Sequence, residues 1–89
     1  MAKWNYTLRF GKNLREAIET EDIETVVKCL IACYRELLNK LSDEDRGWKE
    51  FDIEDAIYNL EQFDYDEDID EYLEDFYDLC DDVRAWVGI

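Results

Sequence analysis

The sequence predicts a small all-α protein, a compact bundle of about four helices behind an extended N-terminal arm. Three observations predict it. Apolar residues recur at i, i+3, i+4 spacing over most of the chain. Proline is absent, and only three glycines interrupt 89 residues. The chain is 47% hydrophobic and 15% aromatic, enough to close one core in a length that leaves no room for two. Residues 1–89 therefore read as a single domain.

The elements follow in order. "WNYTLRF" alternates Trp4, Tyr6, Leu8 and Phe10 with Asn5, Thr7 and Arg9, the period of a strand. It is the only such segment, so it is expected as an arm packed on helices, with an edge pairing to a second copy as the alternative. Asn13 and Glu16 have capping-box spacing before a short helix over about 14–20. Ile23, Val26, Val27, Leu30, Ile31, Tyr34, Leu37, Leu38 and Leu41 predict a second helix over about 21–41. At about 100° per residue the stripes of these two helices lie on opposite sides, which places a break near Thr20–Asp22. "SDEDRG" is expected as a polar connector with at most one helical turn. Asp52 is expected to cap a third helix over about 53–63 with Ile53, Ala56, Ile57, Leu60 and Phe63 inward. Asp68 and Glu71 form a cap-like pair before the last helix, whose stripe is Ile69, Tyr72, Leu73, Phe76, Cys80, Val83 and Val87.

Charge is divided unevenly. Residues 1–49 hold nine basic and nine acidic side chains, whereas residues 50–89 hold sixteen acidic and only Arg84 as a base. The second half thus carries the entire formal charge of −15. That repels nucleic acid and anionic membranes, so direct binding to either is not expected. No apolar run has the length of a membrane span, and the first residues lack a signal peptide's apolar core. Cys29, Cys33 and Cys80 are odd in number and are read as reduced thiols, which points to the cytoplasm.

On a helical wheel Glu67, Asp70, Glu71, Glu74, Asp75, Asp78, Asp81 and Asp82 fall on one arc opposite the apolar stripe of the last helix. The run is therefore one face of an amphipathic helix. Like charges at i, i+4, such as Asp70/Glu74, Glu71/Asp75, Glu74/Asp78 and Asp78/Asp82, cost a helix a few tenths of a kcal/mol each. A plain solvated face is the alternative to a functional one.

Metal and catalytic readings are weak. Asp64, Asp66, Asp68 and Asp70 have the first four spacings of a calcium loop, but Ile69 stands where its turn needs glycine and Asp75 where it needs glutamate. With no His, no CxxC pair and one Ser (Ser42), neither a zinc site nor a nucleophile–base set is expected. The sequence predicts a non-enzyme with no metal and no cofactor.

From Asp66 to Asp82 there are ten acids in 17 residues, over roughly 25 Å of helix. That is one charge per about 2.5 Å, against one per about 1.7 Å in duplex DNA. "DYDEDIDEYLEDFYDLCDD" and "EFDIEDAIYNLEQ" resemble, in composition and charge placement, the small acidic DNA-mimic proteins of phages and mobile elements, among them anti-restriction and anti-CRISPR inhibitors. The resemblance implies an inhibitor that occupies the basic nucleic-acid groove of a defence or other effector. The expected binding residues are Glu54, Asp55, Glu61, Asp64, Asp66, Glu67, Asp70, Glu71, Glu74, Asp75, Asp78, Asp81 and Asp82, with Glu50 nearby. The alternative is a dedicated acidic partner (immunity protein, antitoxin or assembly factor) of one basic protein. The neutral first half leaves room for a homodimer contact.

Overall fold

The computed structural model describes residues 4–65 and 68–87. Its elements are β1 (Tyr6–Thr7), α1 (Gly11–Thr20), α2 (Ile23–Lys40), α3 (Asp43–Glu61), α4 (Ile69–Val83) and β2 (Ala85–Trp86). The chain is a small all-α bundle with a minimal strand pair, as its periodicity predicts.

α2 is the hub and packs against α1, α3 and α4. Its start follows from chemistry. Asp22 turns out of the helix, and its carboxylate accepts from the Thr25 amide and hydroxyl. The Thr25 hydroxyl and amide hold the Asp22 carboxyl below its ordinary value. Glu21 ends α1 in the left-handed conformation, so the expected break near residues 20–22 is a real change of direction. Leu14, Leu30, Cys33, Leu37, Ile53 and Phe76 are fully buried around α2. The Tyr34 and Phe76 rings meet edge to face at 4.9 Å. Burying a Leu or Phe of this kind stabilises the fold by about 1.5–3 kcal/mol.

Four local expectations are corrected. α1 begins at Gly11 with no side-chain cap, so Asn13 and Glu16 lie inside the helix. The amides before it are met from α2, because Glu36 accepts from Arg9 N at 2.8 Å and Phe10 N at 3.0 Å. Burial would raise the Glu36 carboxyl, but these amides and Lys40 outweigh it and hold it below its ordinary value. α3 begins ten residues early: "SDEDRG" is its cap and first turns, with Ser42 accepting from the Asp45 amide. Asp52 is consequently mid-helix and not a cap.

The third correction is to the last helix, which stops at Val83 rather than reaching Val87. Arg84 turns left-handed at φ 58°, and the chain leaves as β2. The fourth is to the arm, for β1 pairs in parallel with β2, Tyr6 opposite Ala85 and Thr7 opposite Trp86. Asn5 N donates to Arg84 O at 2.7 Å and Leu8 N to Trp86 O at 2.8 Å. Gly11 sits against the end of this pair. A Cβ there would lie 2.1 Å from the Val87 carbonyl oxygen, so only glycine lets the two backbones meet.

Asp68 caps α4 by accepting from the Asp70 amide at 3.0 Å. The end of α3 is held by Phe63, whose ring meets Tyr65 at 5.3 Å and Tyr72 at 5.5 Å. Among the described residues no helix is long and apolar enough to cross a membrane.

Candidate functional site

α4 presents its acids because its apolar side chains are taken by the core. Ile69, Leu73, Phe76, Leu79, Cys80 and Val83 are buried. Asp70, Glu71, Glu74, Asp75, Asp78, Asp81 and Asp82 are all exposed. Among the described residues one base forms an ion pair with this helix, Lys49 of α3, whose Nζ lies 3.2 Å from the Asp82 carboxylate. Two other bases of the first half pair inside their own helix. Lys28 pairs with Glu24 at 3.2 Å, and Lys40 with Glu36 at 3.0 Å, each within α2.

The expected residues do not all line one depression. Asp75, Asp78 and Asp82 gather with Asp52 of α3 around a groove of about 270 Å³, with Tyr34, Leu79 and Lys49 completing its lining. Burial raises the Tyr34 phenol, helped by the nearby Cys80 and Asp75, so its hydroxyl stays neutral beside the carboxylates. Asp70 instead borders a depression with Glu21, Ile23 and Val26 at the start of α2. Glu61 turns to Arg35 of α2 at 3.7 Å. Glu54 and Asp55 are exposed on α3, and Asp64 is exposed after it. Asp66 and Glu67 lie outside the described residues, as does part of the partial calcium loop. Glu50 approaches Arg46 at 3.9 Å.

Among the described residues no three His, Cys, Asp or Glu side chains converge closely enough to hold a metal ion. Cys33 and Cys80 are buried and Cys29 half-buried. Burial pushes the thiols of Cys33 and Cys80 up to about 12, which makes them poor ligands and nucleophiles.

Sequence reasoning missed two features. Asp52 joins the groove only because α3 is continuous through it. Trp48, Phe51 and Tyr58 are 68%, 87% and 63% exposed on α3. The available signal was that Trp48 and Phe51 cannot share a face with Ile53 and Ile57 on any single helix.

No family model, curated protein or solved structure matches the chain.

Proposed function

We propose that this chain is an inhibitory nucleic-acid mimic, which binds the basic groove of a nucleic-acid-binding protein through the outer face of α4. The observation that carries the reading is the row of seven exposed carboxylates on α4, answered among the described residues by a single ion-paired lysine. Such a row is costly to the helix, and it offers a Lys/Arg groove closely spaced charge on a rigid support. The groove lined by Asp52, Asp75, Asp78 and Asp82 supplies a receptor for one protruding Lys or Arg. Binding of this kind resembles that of DNA because both replace the counterions of the same basic surface.

A dedicated basic partner, whose bound surface nucleic acid never touches, is the second reading. What favours it is the exposed aromatic set on α3, since large apolar side chains add shape specificity that charge alone lacks.

The test immobilises the protein and captures partners from host extract. On the mimic reading the captured proteins bind nucleic acid, are released by added duplex DNA, and are lost when Glu71, Glu74, Asp75, Asp78 and Asp82 become Gln or Asn. Capture that persists in that variant and resists DNA rejects the mimic.

A further inference from the structure

We propose that the outer face of α3 is a docking seam for a basic amphipathic helix of another protein. This surface meets the α4 face at Asp52, which also lines the groove, but its aromatics lie outside that groove and the inference does not depend on the reading given to the α4 face. Trp48, Phe51, Asp55 and Tyr58 are spaced three, four and three residues apart, the spacing of a two-helix seam. All four are exposed. Ile53 and Leu60 are 0% and 1% exposed on the core side of the same helix, so the seam points directly away from the bundle. α3 is thus apolar on two opposite faces, and its own fold covers only one. Three large aromatics along one exposed face are more than solvation calls for, and Trp and Tyr are the residues that anchor interfaces.

The charges say what covers the seam. In a paired helix the positions flanking the seam set the choice of partner. Here they are Gly47, Asp52, Glu54, Asn59 and Glu61: three acids, of which Glu61 already meets Arg35 at 3.7 Å, while Lys49 lies over the Trp48 ring at one end of the seam. Asp55 adds a fourth carboxylate within the seam itself. A second copy of this chain would bring Asp52, Glu54 and Asp55 against further acids, and a membrane or nucleic acid would be repelled by them as well. A helix with leucines at its seam and Lys or Arg beside them satisfies both the aromatics and the acids, with one Lys opposite Asp55. From Trp48 to Tyr58 the seam covers about three turns, roughly 15 Å, so a partner segment of two heptads suffices.

The probe is a synthetic two-heptad peptide with Leu at seam positions and Lys at flanking positions, titrated into the intact protein at low salt. Backbone amide shifts are expected to centre on residues 48–58. Trp48→Ser and Phe51→Ser, both at exposed positions and checked for unchanged circular dichroism, should each weaken binding at least about tenfold. A control peptide with the same charge and Ser in place of Leu should bind far more weakly. Neutralising the α4 acids should cost less than Phe51→Ser. The proposal is overturned if the shifts map to α4, or if the Ser-for-Leu peptide binds equally well. It is overturned too if the protein alone sediments as a dimer that Phe51→Ser dissociates, because the occupant is then a second copy.

Discussion

Two glycines have opposite roles. Gly11 meets the Val87 backbone so closely that a methyl group cannot fit. Gly11→Ala should destabilise the protein by about 1–3 kcal/mol, as overpacking does. Gly47 lies inside α3 with nothing within 4 Å of an added Cβ, so Gly47→Ala should stabilise by about 0.5–1 kcal/mol. Urea titration of both variants checks the pair, and shifts of the same sign would contradict the packing described. The cysteines give a second expectation. With burial pushing Cys33 and Cys80 up to about 12, a disulfide-exchange reagent at pH 8 should modify at most half-buried Cys29 in the folded protein. All three thiols should react after denaturation. Fast labelling of Cys33 or Cys80 under native conditions would show that α2 and α4 separate readily.

At the scale of elements, α2 and α4 were legible because each has one unbroken apolar stripe, most of which ends up buried even though Ile23 stays exposed. The first half of α3 was not, for a physical reason. Over residues 43–52 its large apolar side chains, Trp48 and Phe51, face water, while inward-leaning positions are polar and find specific partners. The Tyr6 hydroxyl donates to Asp45 at 2.5 Å, Arg46 donates to the Leu38 carbonyl at 2.6 Å, and Lys49 pairs with Asp82. A helix held by hydrogen bonds and by three acids in its first turn leaves no hydrophobic period to read. The strand pair was hidden by distance along the chain, because Tyr6 and Ala85 meet only once the bundle has formed. The acidic arc of α4 was legible residue by residue; the groove was not, since it needs Asp52 from a different helix. One expectation belongs at this scale. Changing Glu71, Glu74, Asp75, Asp78 and Asp82 to Gln or Asn removes repulsion at Asp70/Glu74, Glu71/Asp75, Glu74/Asp78 and Asp78/Asp82. Stability should rise by about 1 kcal/mol, less what is lost with the partly buried Lys49–Asp82 pair. A fall in the urea midpoint would mean that these carboxylates hold the fold together in a way the structure does not show.

The molecule as a whole folds against its own charge. With a net charge of −15 on 89 residues, raising salt from about 0.01 M to 0.5 M shortens the screening length several-fold. The melting temperature should climb by several degrees. A flat or falling trend would show that ion pairs such as Lys28–Glu24 outweigh the general repulsion. The β1–β2 clasp has a mechanical consequence as well. Because the two strands run parallel, the chain enters the pair at one end through β1 and leaves at the other end through β2. Tension applied through Trp4 and Val87 therefore pulls along the strands, and the bonds from Asn5 N to Arg84 O and from Leu8 N to Trp86 O are loaded together. Tension through Trp4 and Arg84 would instead peel them apart one at a time. In force-ramp experiments the first attachment should rupture at the higher force, so that a two-residue ladder acts as a shear clamp for the whole domain.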